Sequence, residues 1–278
     1  MFDDKVILCG SSSYEKIFYF NPEFDSLPKQ IKDELQIMCV LFTEDVGGIL
    51  RLEFDEKGNL NLTVESKEDD FFFDCIERIE SMFTSIPTAQ KLEKRIKGIL
   101  DNLNSLDGKV FERGHKELGK LLGYISENPD STGAPDPYWI INENNVIVSE
   151  DKIYEEKAQI KGVPISDVSE AGRHHAWIVE HEKRISKDAN IYTILITNSK
   201  SIDEDARIYA GNIYYVYREE YVSWAIKALT VIRSVWNMFT DEGDMEWRNS
   251  VHQQFIKEGI TPKNYLDFVC KKNLKDIE

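Results

Sequence analysis

Cysteine is scarce and scattered: four thiols in 278 residues, Cys9, Cys39, Cys75 and Cys270, with no C-x-x-C pair. That spacing makes a structural zinc site or a disulfide framework an unsuitable organising device. It leaves reduced thiols that serve as small apolar residues. No apolar run approaches the roughly 20 residues that a membrane helix needs. The opening MFDDKVILCG carries acids where a secretory leader carries bases, and no long apolar segment follows, so a cytoplasmic protein is expected. Positive charge is short as well: 34 Lys and Arg against 50 Asp and Glu leave a formal net charge of −16. The bulk composition therefore lacks the electrostatic footprint of a nucleic-acid binder. The basic stretches KLEKRIKG (91–98) and CKKNLK (270–275) are short and mixed. A local basic face, a divalent metal or an oligomeric groove stay open to an acidic protein that handles DNA or RNA.

Core-forming residues are plentiful: 14 Phe, 12 Tyr and 5 Trp, in a chain long enough for one large domain or two small ones. The N-terminal segment reads as a small α+β domain over residues 1–87. KVILCGSSS is a strand into a polar turn, and LPKQIKDELQIMCVLFTEDV has Ile31, Leu35, Met38 and Phe42 at helical spacing. ILRLEFDEKGNLNLTVES alternates with period two on both sides of Asp55–Asn59, the pattern of a hairpin. A helix with Leu92, Ile96, Leu100 and Leu103 on one face is expected to link the halves over residues 88–104.

Residues 105–278 form the second expected domain. KVFERGHKELGKLLGYIS is amphipathic, with Phe111, Leu118, Leu121 and Leu122 on its apolar side. A loop, ENPDSTGAPDP, leads to a hairpin, WIINENNVIVSEDK. The helix SDVSEAGRHHAWIVEHEKRI, the strand IYTILITNS, a short helix DEDARIYA, the strand NIYYVYR and a long helix YVSWAIKALTVIRSVWNMF follow. That order predicts an α/β domain, a mixed central sheet flanked by helices.

One constellation carries chemistry. Glu150 and Lys152 fall on the same face of a strand, because the side-chain period is two. Asp136 starts the preceding strand, so pairing of the two would gather all three groups at one sheet end. Two carboxylates with water and a phosphate oxygen suit Mg²⁺. A lysine beside them can orient a water and stabilise charge developing on a phosphoryl group. The alternative is a solvated hairpin end, since D…E-x-K patterns arise often by chance.

The surroundings add to the pattern. Pro135-Asp136 and Glu150-Asp151-Lys152 stand at the two ends of the expected hairpin. Upstream, FERGHKELGKLLGY has an acid after an aromatic, Glu112, and then Leu118-Gly119-Lys120-Leu121-Leu122-Gly123. Downstream, ISDVSEAGRHHAWI places His174 three residues before Trp177. Together these segments, over about residues 105–240, resemble the PD-(D/E)xK nuclease superfamily, which includes restriction-endonuclease-like domains. The resemblance implies a restriction-endonuclease-like fold and Mg²⁺-dependent (or Mn²⁺-dependent) hydrolysis of phosphodiesters, in DNA more than in RNA. It implies Asp136 and Glu150 as metal ligands, Lys152 as the group orienting water, and Glu112 as a ligand or water positioner. His174 and Glu170 become substrate-side candidates. Relatives often carry Gln where this chain has Glu170, which adds negative charge near the site. A bacterial defence nuclease, with a homodimer or a protein partner held through the N-terminal domain, is one expectation. An inactive nuclease-fold binding or regulatory protein is the alternative.

Other residues read more plainly. Glu117 competes with Glu112 for the sheet-facing position, and Glu112 has its own alternative as a first-turn acid facing solvent. His175 is expected to be structural or exposed, and His115, His181 and His252 have no evident partners. Tyr214, Tyr215 and Tyr217 could stack on bases, but a packed strand supplies the same pattern. Trp224 and Trp236 read as core. Finally, VILCGSSSYEKIFYFNPEF with the helical segment after it resembles a small uncharacterised bacterial domain with no known activity.

Overall fold

The structure, a computed structural model, describes residues 49–54, 60–65, 70–154 and 162–277. It divides into two compact units, Met1–Asp74 and Cys75–Glu278. In the first, β1 (Ile49–Phe54) and β2 (Leu60–Glu65) pair antiparallel, from Ile49 opposite Glu65 to Phe54 opposite Leu60. The alternating pattern predicted this hairpin. The expected strand and helix before residue 49 lie outside the described residues.

The helix α1 (Asp70–Thr84) runs into the second unit and there buries Cys75, Ile76, Ile79 and Phe83. Next, α2 (Ala89–Leu103) starts where the Thr88 side chain accepts from the Lys91 amide. It buries Leu92, Ile96, Ile99 and Leu103. The expected linker over 88–104 is thus part of the unit's packing, which begins at Cys75 rather than near residue 88. Ile99 takes the inward position expected of Leu100, which is half-buried. α3 (Gly108–Leu121), capped by Asp107, lies so close to α2 that a Cβ on Gly114 would stand 2.8 Å from Asn102 Cβ. Arg218 ties the α2 end down, donating to the Leu103 and Ser105 carbonyls at 3.0 and 3.1 Å.

The sheet has the order β3 (Ile125–Glu127), β4 (Tyr138–Asn142), β5 (Asn145–Lys152), β6 (Asn190–Thr197), β7 (Ile213–Tyr217). The first three strands are antiparallel neighbours and the last three are parallel. This is an α/β unit with a mixed sheet flanked by helices, the coarse class expected. β3 differs from expectation: the helix predicted to run through Ile125 and Ser126 stops at Leu121. Gly123, at φ 82°, then turns the chain where other residues would be strained.

Between β5 and β6, α4 (Ile165–His181) covers one sheet face. There Ile178 packs with Tyr138, Ile140, Val146 and Val148. α3 covers the other face together with α5 (Arg218–Asn237): His115 meets Trp139 of the sheet, and Tyr221 of α5 meets His115 and Phe111. The predicted short helix before β7 is a 3-10 turn, Glu204–Tyr209. Two further helices, α6 (Met245–Glu258) and α7 (Pro262–Val269), close the unit. Tyr215 is buried and serves the core as expected, while Tyr214 and Tyr217 are half-buried, Tyr217 against the same cluster. Trp224 and Trp236 are half-buried rather than core, and the Trp236 indole donates to the Ile86 carbonyl. No helix among the described residues is long and apolar enough to cross a membrane.

Candidate active site

Strand pairing brings the two ends of the predicted hairpin together. Beyond Tyr138 opposite Val148, the Ser149 amide donates to the Pro137 carbonyl at 3.0 Å, and the Asp136 amide donates to the Ser149 carbonyl at 2.7 Å. Asp136 therefore sits against the last turn of pleat in β5, where Glu150 and Lys152 stand. These are the carboxyl ends of parallel strands, the side on which open α/β sheets present their ligand sites. After Lys152 the chain is held by Asn198, whose side chain accepts from the Tyr154 amide (2.9 Å) and donates to its carbonyl (2.8 Å).

Glu150 is fully buried on the α4 face. One carboxylate oxygen meets the Lys152 ammonium and the other meets His174 Nε2. His174 is itself fully buried, and its Nδ1–H donates to the Gly133 carbonyl at 3.1 Å. With Nδ1 spent as a donor, the Nε2 contact needs one further proton held by the His174–Glu150 pair. Lys152 also meets Glu170 at 3.1 Å. Burial works to lower the Lys152 ammonium, but Glu150 and Glu170 outweigh it and hold the group above its ordinary range.

Asp136 is half-buried, and no side-chain hydrogen bond reaches it among the described residues. Burial, then the charges of Glu150 and Glu112, push its carboxyl up to about 8, with Lys152 partly opposing. Glu112, on α3, is raised by burial and by Glu150, against the opposing effects of Asn128, which donates to it at 3.2 Å, and of Lys152. The site thus concentrates negative charge around one lysine.

On the other sheet face, the neighbour Asp151 meets His115 Nδ1 at 2.9 Å, and both are fully buried. Burial pushes the imidazole down to about 3. Burial, then Glu112 and Glu150, push the Asp151 carboxyl well up. The two directions agree on an uncharged pair, with the acid proton donated to the ring nitrogen. The His115 ring lies edge-on to Trp139 and Tyr221, each 4.9 Å away between centroids.

The predicted set divides accordingly. Asp136, Glu150, Lys152 and Glu170 gather at one sheet end, and Glu112 reaches the same charges from α3. His174, expected to touch substrate, is instead enclosed behind Glu150 because α4 packs flat on the sheet there. Glu117 is taken up by Lys120 and Arg95 at the surface, which leaves Glu112 as the inward acid. His175 is exposed, as expected. His181 stacks on Trp177, its Nδ1 2.8 Å from the carbonyl of the same residue. The His115–Asp151 pair was missed. Its only signal was the position of His115, four residues after Phe111 on the apolar side of α3.

As for a metal, no group of three or more His, Cys, Asp or Glu among the described residues is arranged to hold one. Asp136 and Glu150 offer hard oxygen donors in a field of excess negative charge. Mg²⁺ and Mn²⁺ take such donors, one or two carboxylates with the shell completed by water and phosphate oxygens, but both Glu150 oxygens are already engaged by Lys152 and His174.

Residues 5–103 match the model of a family of unknown function, DUF6145. The match spans the segment that resembles a small bacterial domain and runs on to Leu103, the last residue of α2. It stops before α3 and before every residue of the candidate site. No curated protein matches the chain in sequence.

Proposed function

We propose that the second unit is a metal-dependent nuclease with a restriction-endonuclease-like arrangement, cleaving phosphodiesters in DNA more readily than in RNA. The observation that carries this is the meeting of Asp136, Glu150 and Lys152 at the carboxyl end of β5, with Lys152 anchored on Glu150. In the reaction a water oxygen bonds to phosphorus, one ester P–O bond breaks, and the departing oxygen takes up a proton. Mg²⁺ or Mn²⁺, held by Asp136 and Glu150, would supply Lewis acidity and offset charge on the phosphoryl oxygens.

The protein's own groups do the rest. Lys152, pinned between Glu150 and Glu170, keeps its charge through the working pH range and orients the water. Asp136 ionises near pH 8, so it can give up its proton close to neutrality. His174 fixes the Glu150 carboxylate from behind, and Glu112 assists from α3. A cytoplasmic, bacterial defence setting and a homodimer addressing two strands belong to the same reading. Fold analogy alone supports those parts.

An inactive nuclease-fold binding or regulatory protein is the second reading. What favours it is that both Glu150 oxygens are already engaged, one by Lys152 and the other by His174. Plasmid, single-stranded DNA and RNA incubated with Mg²⁺, Mn²⁺ or EDTA separate the two. Metal-dependent cutting supports the nuclease and names its polymer; no cutting of any polymer turns the reading to the binding protein.

A further inference from the structure

A second feature lies along the same end of the sheet. The register sets Lys152 opposite Thr197, and Thr197 opposite Tyr217, in one row across β5, β6 and β7. At the usual spacing of neighbouring strands, Tyr217 stands about 10 Å from Lys152. Beside Tyr217 opens a cavity of about 970 Å³ whose wall includes Lys200, Lys271, Lys272 and Phe268.

The chain folds to put these lysines there. Residues after α7 run along the free edge of β7: the Tyr215 amide donates to the Lys272 carbonyl at 2.8 Å, and Asn273 bridges to Tyr214. That pairing covers the sheet edge and fixes Lys271 and Lys272 beside Tyr215 and Tyr217. Lys200 follows β6 and rides over the Tyr217 ring, 4.8 Å from its centroid; Lys272 lies over the Tyr215 ring at 5.5 Å.

The three lysines stand together at one cavity. Among the described residues, no carboxylate lies within salt-bridge reach of Lys200, Lys271 or Lys272, although the chain is acidic overall. Glu219 and Glu220 line the same cavity from the first turn of α5, where the helix dipole favours acids. The Tyr217 hydroxyl engages Glu219. Three lysines outside any salt bridge among the described residues, grouped around an aromatic wall, are the combination that holds a phosphate chain and its bases.

We propose that this cavity binds a segment of single-stranded nucleic acid, with phosphates on Lys200, Lys271 and Lys272 and bases against Tyr217 and Phe268. Aromatic rings that take unstacked bases suit one strand rather than a duplex. This rests on the nuclease reading, for which it supplies the path of the strand away from Asp136 and Lys152.

The test is fluorescence anisotropy of labelled oligo(dT) on the full-length protein in EDTA, across a salt series. Three proteins are compared: wild type, the triple variant Lys200→Ala, Lys271→Ala, Lys272→Ala, and a charge-matched variant Lys91→Ala, Lys94→Ala, Lys187→Ala at exposed positions elsewhere. The first triple is expected to weaken binding roughly tenfold or more and to reduce the slope of log affinity against log salt by about 2. The matched triple is expected to change affinity by less than about twofold. Equal binding by wild type and the first triple overturns the proposal. So does polyglutamate binding as tightly with the same lysine dependence, which would make the occupant an acidic polypeptide. Because the assay contains no metal, loss of the cleavage reading leaves its result standing, and its failure leaves Asp136-dependent cleavage standing.

Discussion

Glu150 and Asp151 are neighbours in the chain, yet each carboxyl group meets a histidine on a different face of the sheet. Glu150 is paired with His174 of α4, and Asp151 with His115 of α3. Strand alternation makes this unavoidable once β5 is covered on both sides. The consequence is a division of labour at one strand end. The Glu150 side keeps its charge partners and opens towards Lys152. The Asp151 side is an uncharged hydrogen-bonded pair within an aromatic core, and it holds the end of β5 against α3.

Removing the Asp151 carboxyl should therefore cost stability. Asp151→Ala leaves His115 Nδ1 buried without a partner, a loss of about 1–3 kcal/mol, whereas Asp151→Asn keeps an N–H donor for that nitrogen and should cost less. Urea unfolding of the three proteins at neutral pH gives the ordering, and equal midpoints for Asp151→Ala and wild type would refute the pairing.

Asp136 should make stability fall with rising pH. Its folded-state value, about 8, lies above the ordinary carboxylate range near 4, so the folded protein binds this proton more tightly. The stability it contributes is complete below about pH 4 and is lost as pH climbs through 8. Against wild type, Asp136→Asn should thus gain on the order of a few kcal/mol between pH 5 and pH 8. Denaturant curves at both values measure this; a difference that stays constant with pH would show that Asp136 ionises normally.

His174 should matter to folding and to the site alike. Its loss leaves the buried Glu150 with only Lys152, and breaking a buried pair typically costs about 3–5 kcal/mol. His174→Gln keeps a donor and should be milder than His174→Ala. Thermal melts of both variants provide the comparison, with equal losses counting against a hydrogen-bonding role.

Gly119 should resist enlargement. A methyl there would overlap the Trp139 ring and stand 2.9 Å from Ser126 Cβ. Gly119→Ala is expected to lose about 1–3 kcal/mol through overpacking and to alter tryptophan emission. An unchanged melt would mean that the α3–β4 contact is looser than described.

Much of this was legible in the chain, for physical reasons that differ by element. Period-two alternation marked β1 and β2, and the D…E-x-K spacing placed Asp136, Glu150 and Lys152 at one sheet end because hairpin pairing leaves few alternatives. β3 was hidden, since three residues carry no measurable period and Ile125 continues an amphipathic pattern. The packing of α2 into the second unit depends on contacts with α3 and Arg218, far apart in sequence. The same holds for His115 and Asp151, 36 residues apart and joined only when α3 docks on the sheet. The lysine cavity needed the carboxyl-terminal strip to return along β7, which local pattern does not reveal.

Cleavage of the preferred polymer with Mg²⁺ or Mn²⁺ by wild type, Asp136→Ala and Lys152→Ala, each shown to be folded by circular dichroism, probes the site most directly. A nuclease working through these residues should lose about a hundredfold or more in rate with either substitution, and all cutting in EDTA. Cutting that persists in both variants at the wild-type rate would place the activity elsewhere and remove Asp136 and Lys152 from it.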